Sequence, residues 1–183
     1  MFKVSILVCD NGYGHLKRCL SIAYFLSSKG IMVDLYGDQK GFKMANDIYH
    51  KCKNKPNLIS WDFSYKVDYF LTKKCKNFDV VKKLPSLKKY DYVLSDNIIE
   101  VLFLRKDAIL ISQFFWHEVI KGVDKDYKSQ CRKLLNINKP KIFGDRYFTM
   151  EYIKKNQNYL STGIYSPNKK RVDFKKNLTK KKN

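Results

Sequence analysis

Apolar positions along this chain follow two rhythms, and the change from one to the other marks its first elements. Phe2 to Cys9 (FKVSILVC) is a short apolar, β-branched run that predicts a buried parallel strand. Asp10, Asn11 and Gly12 break it. From His15 onward, Leu16, Cys19, Leu20, Ala23 and Leu26 recur at steps of three and four residues. That spacing predicts an amphipathic helix with Gly30 just past its end, where a left-handed backbone is needed. Ile31 to Tyr36 predicts a second strand, and Gly37, Asp38 and Gln39 a loop. Strand, loop, helix and strand in this order form a βαβ unit, which implies parallel strands and a right-handed crossover.

The same alternation continues less cleanly. Phe42 to His50 predicts a weak helix and Leu58 to Trp61 a short strand. Residues 63–89 are lysine-rich and fit two short helices broken at Pro85. Tyr90 to Ser95 predicts a fourth strand, Ala108 to Ser112 a fifth, and Ile98 to Leu104 a helix between them. A helix over Lys125 to Leu135 and a sixth strand over Lys141 to Phe148 complete the pattern. The expected fold class is α/β: a Rossmann-like parallel sheet of about six strands with helices on both faces. One domain over residues 1–167 is expected, followed by a basic linker or tail at 168–183.

Composition narrows the class. A chain of 183 residues with 44% hydrophobic and 15% aromatic residues can build one real core, and is too short for two full-sized domains. No apolar run approaches the ~18 residues of a membrane-spanning helix. The run from Val4 to Cys9 is too short for a signal-peptide core, so a cytoplasmic protein is expected. Cys9, Cys19, Cys52, Cys75 and Cys131 are odd in number and scattered. They lack the paired spacing of a disulfide framework or a zinc site, so reduced structural thiols and no metal are expected.

The formal net charge of +20 raises nucleic acid as a partner. The lysines are spread along the whole chain, however, and no RNP, zinc-finger or basic-zipper pattern accompanies them. Nucleic acid is therefore not expected as the main partner. Anionic headgroups fit such a surface better; the tail is expected to be solvated, with a peripheral contact at the inner face of a membrane, or with a partner, as the alternative.

In open α/β sheets, ligands bind outside the carboxyl ends of the strands. Asn11, Gly12, Gly14 and His15 follow the first strand, and Asp38 follows the second. Asp96 and Asn97 follow the fourth, and Trp116, His117 and Glu118 the fifth. These polar and aromatic residues are the candidate substrate contacts. The sharpest feature is G-Y-G-H at 12–15. Paired glycines allow a tight turn close to a ligand, and the helix that follows points its positive end there. His15, in the first helical turn, is placed to act as general base toward a hydroxyl. Arg18, one turn on, offers a phosphate or carboxylate contact. A dinucleotide site would need a third glycine where Lys17 and Arg18 stand, and an acid ending the second strand. Asp34 lies mid-strand and Asp38 falls one loop residue late, so no cofactor is expected.

The run D-N-G-Y-G-H-L-K-R-C-L-S-I-A-Y-F-L-S-S-K-G resembles the opening G-x-G-H-x-x-R-x-x-x-[LI]-A-x-x-L-x-x-x-G of GT-B glycosyltransferases. It is similar to the lipid-intermediate N-acetylglucosaminyltransferases and, more closely, to the UDP-sugar hydrolase of pseudaminic acid synthesis and its relatives. Y-D-Y-V-L-S-D-N resembles their fourth strand with its terminal acid, here Asp96, and I-L-I-S-Q-F-F-W-H-E their fifth strand with its aromatic loop. The resemblance implies that His15 takes the catalytic-histidine position and that Gly12 and Gly14 shape the phosphate- and acceptor-facing loop. It also implies a nucleotide-sugar donor and a hydroxyl acceptor as partners.

In those enzymes a second Rossmann-like domain holds most of the donor. L-S-T-G-I-Y-S-P at 160–167 resembles the junction between the halves. A fragment, one subunit of a split enzyme with a separate donor-binding domain or subunit, and an acceptor-binding module all stay open. The functions to be weighed are sugar transfer with His15 as base, the related nucleotide-sugar hydrolysis, and a non-catalytic basic module for anionic glycolipid or nucleic acid.

Overall fold

The computed structural model describes residues 2–9, 11–43, 54–61 and 85–162. These form a seven-stranded sheet, in the order β3-β2-β1-β4-β5-β6-β7, with every neighbouring pair parallel. The strands are β1 (Lys3–Leu7), β2 (Met32–Gly37), β3 (Asn57–Ser60), β4 (Tyr92–Asp96), β5 (Ile109–Ile111), β6 (Ile142–Asp145) and β7 (Tyr159–Thr162). The helices are α1 (Tyr13–Ser28), α2 (Val101–Leu104), α3 (Trp116–Val119), α4 (Lys125–Asn138) and α5 (Glu151–Lys154). Residues 39–43 are also helical.

Alternation along the strands divides the core in two, because successive side chains point to opposite faces. Val4, Ile6 and Val8 meet Leu16, Leu20 and Ala23 of α1 on one face. Leu7, Val93, Leu110 and Ile142 meet Leu102, Tyr127, Cys131 and Ile153 on the other. Strand order reverses at β1, where β2 lies on one side and β4 on the other. The carboxyl ends of β1 and β4 are thereby brought together in front of α1.

The βαβ unit is present as the hydrophobic spacing predicts. Gly30 adopts φ 79° after the Lys29 C-cap, the left-handed backbone that ends α1. Two features differ from expectation. The sixth strand stops at Asp145 instead of Phe148, because the Asp145 carboxylate accepts hydrogen bonds from the backbone N–H of Tyr147 (2.6 Å) and Phe148 (3.0 Å) and turns the chain. A seventh strand, β7, occupies part of the segment that resembles an interdomain junction. As an edge strand of half-buried and exposed residues, it carries no apolar run to announce it.

The weak helix expected over Phe42 to His50 is described only to residue 43. Residues 62–84, the basic tail, Gly163 to Pro167, Cys52 and Cys75 lie outside the described residues. Among the described residues, no helix is long and apolar enough to cross a membrane.

Candidate functional site

The first turn of α1 stands over the end of β4. Gly12 is its N-cap, with φ 124° and ψ 151°, a backbone essentially reserved for glycine. Gly14 follows inside the helix, and a β-carbon added there would meet nothing within 4 Å, so its bare backbone leaves the space open.

Asp96, the last residue of β4, is wholly buried beneath this turn. Its Oδ1 lies 2.7 Å from His15 Nδ1. Arg18 grips the same carboxylate, donating from Nε at 3.0 Å to Oδ2 and from one terminal nitrogen at 2.7 and 2.8 Å to the two oxygens. The Cys19 thiol donates to Oδ2 at 3.2 Å. Burial alone would push the Asp96 carboxyl up, but the His15 hydrogen bond and the Arg18 guanidinium outweigh it and hold it below the ordinary carboxylate range. An ionised carboxylate only accepts hydrogen bonds. The short contact therefore assigns the proton to His15 Nδ1, which donates to Asp96. The Arg18 nitrogen 3.2 Å from Nδ1 is then a neighbour of the ring rather than its donor. This tautomer leaves Nε2 as the imidazole's basic nitrogen.

Phe114 and Trp116, from the segment after β5, complete the surroundings of the ring. Their centroids lie 6.4 and 6.3 Å from that of His15, and 4.8 Å from each other in an edge-on pair. The His15 side chain is 13% exposed, enough to reach a ligand at the rim. Two cavities open beside this turn. One, of about 250 Å³, is lined by Gly14, Lys17, Arg18, Gln113, Asp145 and Phe148 among others. The other, of about 230 Å³, lies against Gly12, Tyr13, Leu16 and Asp38. Asp38 Oδ2 accepts the Gly41 N–H at 3.0 Å, so this carboxylate also shapes its own loop.

The structure gathers Gly12, Gly14, His15, Arg18, Asp96 and Trp116 into one place, with Asp38 across the second cavity. Asn11 is half-buried in the loop before α1. Arg18 and Asp96 face each other, so the guanidinium is directed at the carboxylate and not outward toward a phosphate.

Three candidates are placed differently. Asn97 is buried with φ 58°, and its side-chain oxygen accepts from the Ser112 hydroxyl, which ties the ends of β4 and β5 together. His117 is 1% exposed and stacked on Phe115, inside the layer opposite α1. Burial pushes its imidazole down to about 4, with Glu118 partly opposing and Arg132 and Lys128 adding to the shift. Glu118 lies in an ion cluster with Arg132 (2.7 Å) and Lys128 (3.0 Å). Burial would raise it, but those hydrogen bonds bring it down to about 2. His117 and Glu118 follow β5 in sequence, but α3 carries them away from His15 into packing against α4.

Sequence reasoning passes over Cys19, Lys17, Asp145 and Phe148. Phe114 belongs to the aromatic loop that the strand-end rule already marks. Asp145 and Phe148 are hidden because the expected sixth strand runs through them. The buried thiols of Cys9 and Cys19 are both raised by desolvation, Cys9 to about 12, which makes them packing groups and not nucleophiles.

No family model and no curated protein matches the sequence. Solved structures do. The chain superposes on Arabidopsis thaliana UGT89C1 complexed with quercetin at 12% identity and a TM-score of 0.51, covering 97% of this chain and 54% of that one. It superposes on Phytolacca americana UGT2 complexed with UDP-2fluoro-glucose and pterostilbene at 13% identity and a TM-score of 0.51, covering 98% and 57%. The chain thus spans just over half the length of either. At these identities the likeness establishes the fold: a Rossmann-like α/β unit similar to one half of a GT-B glycosyltransferase.

Proposed function

We propose that this chain is the acceptor-side half of a GT-B enzyme that transfers sugar from a nucleotide-sugar donor, with His15 as general base. The observation that carries this is the contact between His15 Nδ1 and the buried Asp96 carboxylate at 2.7 Å. With Nδ1–H held by Asp96, Nε2 takes the proton of an acceptor hydroxyl as its oxygen attacks the anomeric carbon, and the nucleotide diphosphate leaves with the bonding electrons. Asp96 orients the ring and stabilises the imidazolium that forms. It is a positioning residue, since its carboxylate is buried away from substrate. Gly12, Gly14, Phe114 and Trp116 form the acceptor-facing wall, with Asn11 and Asp38 at its margin.

The donor is held by a second domain or subunit. Support for this comes from the two solved structures above, each of which the chain covers by just over half. The families whose chemistry the proposal follows are the lipid-intermediate N-acetylglucosaminyltransferases and the pseudaminic-pathway hydrolase. Hydrolysis uses the same geometry with water in place of the hydroxyl. The basic surface suits work on an anionic acceptor at the cytoplasmic face of a membrane.

The test is a transfer assay with this chain, a separately expressed donor-binding half and a UDP-sugar, run with and without acceptor alcohol. Glycoside formation that needs this chain supports transfer, and sugar release independent of alcohol supports hydrolysis. The non-catalytic alternative, favoured by the +20 charge, predicts neither, and instead a salt-sensitive association with anionic glycolipid or nucleic acid.

A further inference from the structure

Phe114 and Trp116 border His15 from a segment with little structure of its own. α3 is a single turn, closed by backbone bonds from the Glu118 N–H to the Phe115 carbonyl (2.9 Å) and from the Ile120 N–H to the Trp116 carbonyl (3.1 Å). A helix this short does not hold itself together in water, so side chains set its place on the sheet. Those side chains alternate. Phe114 and Trp116 face the histidine, at ring distances of 6.4 and 6.3 Å. Phe115 and His117 are buried in the opposite layer, stacked 5.7 Å apart. The Phe115 N–H donates to the Tyr152 hydroxyl at 2.7 Å, which fixes the segment just before the turn.

Glu118 holds the other end of the turn. Arg132 of α4 donates to both of its oxygens, from Nε at 2.7 Å and from a terminal nitrogen at 3.0 Å. Lys128 Nζ reaches the same carboxylate at 3.0 Å, and His117 Nε2 lies 3.3 Å from it. Lys128 and Arg132 are one turn apart on one face of α4, so a single carboxylate engages both. A guanidinium fork fixes direction as well as distance. Trp116 and Glu118 share the one turn, so the grip on the carboxylate is carried to the indole.

We propose that Glu118, gripped by Arg132 and Lys128, is a positioning residue that sets Trp116, and with it Phe114, against His15. It acts through α3 and not by contact with substrate. The kinetic consequence rests on the acceptor-site reading above, whereas the structural consequence does not. Exposed ion pairs contribute little to global stability, and the Arg132 side chain is 57% exposed. Breaking the fork therefore leaves the fold in place and frees the turn. A second Arg–carboxylate fork gives the comparison: Arg105 and Asp107, at 2.6 and 3.2 Å, stand at the amino end of β5, on the edge of the sheet opposite His15.

The test labels the full chain with fluorotryptophan, which gives separate fluorine-NMR signals for Trp61 and Trp116, assigned with Trp61→Phe. The His15 ring signals are followed beside them. Glu118→Gln, which keeps the shape and removes the charge, should displace the Trp116 signal and shift those of His15. Asp107→Asn should leave both unchanged. Arg132→Gln, at an exposed position, should act in the same direction, and it carries the test alone if Glu118→Gln does not fold. The double variant should shift the signals no further than Glu118→Gln does, because Arg132 acts only through Glu118. In the transfer assay Glu118→Gln should raise the acceptor KM by about threefold or more, the size of a weakened aromatic contact, with the donor KM unchanged. The proposal is overturned by unmoved Trp116 and His15 signals in the single variants, by an equal shift in Asp107→Asn, by additive shifts in the double variant, or by an unchanged acceptor KM. If the unaltered chain transfers no sugar, the signals alone decide the positioning, and it is the transfer reading that falls.

Discussion

His15 and Asp96 lie 81 positions apart in the chain, and their side chains meet at 2.7 Å under the first turn of α1. The parallel pairing of β1 with β4 produces this contact, because it sets the loop after one strand against the end of the other. A wholly buried carboxylate held by an imidazole, a guanidinium and a thiol is costly to disturb on either side.

Replacing Asp96 with Asn removes the charge but keeps the shape. Arg18, 13% exposed, then loses this counter-ion, and breaking such a pair costs about 3–5 kcal/mol. Urea denaturation of Asp96→Asn should show a loss of that order. A loss below about 0.5 kcal/mol, the size of an ordinary surface substitution, would show that the cluster contributes little to the fold.

Stability should depend on acid through His117. Its folded-state pKa, about 4, lies below the ordinary histidine value, so the unfolded chain binds the proton more readily in the window between them. Stability is therefore full above about pH 6.5 and is lost as pH falls toward 4, with a slope of up to about 1.4 kcal/mol per pH unit. His117→Gln should flatten this window in a series of urea melts. Asp96 and Glu118, whose folded values are lowered, add a further loss at lower pH, below their ordinary range near 4.

Gly144 fits where nothing larger does. A β-carbon there would lie 2.5 Å from Thr149 Oγ1 and 2.8 Å from the Ser112 carbonyl oxygen. Backbone cannot yield as a side chain can, so Gly144→Ala should cost about 1–3 kcal/mol by thermal or chemical denaturation.

Gly12 is constrained by conformation and not by space. A β-carbon meets nothing within 4 Å, but φ 124° strains any L-residue. Gly12→Ala should cost about 1–3 kcal/mol and shift the start of α1. The shift should appear as changed His15 ring signals in an NMR spectrum; unchanged signals would separate the loop from the histidine.

Legibility in the sequence follows the strength of local pattern. β1, α1 and β2 are readable because an apolar run, a three- and four-residue repeat and Gly30 agree with one another. The rule that ligands gather at strand ends brings His15, Asp96 and Trp116 to the same rim. It does not reveal that Asp96 is buried beneath His15, because depth depends on how α1 sits on the sheet. The same rule places His117 and Glu118 on the rim, although within the same short helix as Trp116 His117 turns into the opposite layer and Glu118 pairs with Lys128 and Arg132 of α4. β7 leaves no mark, since pairing with β6, and not apolar burial of its own, makes Tyr159 to Thr162 a strand.

The most direct measurement is the transfer rate of His15→Ala beside the unaltered chain, with the donor-binding half and saturating donor. A base that removes the hydroxyl proton contributes about 10²–10⁴-fold, so the rate should fall by that factor while donor affinity stays the same. Unchanged turnover would contradict the account.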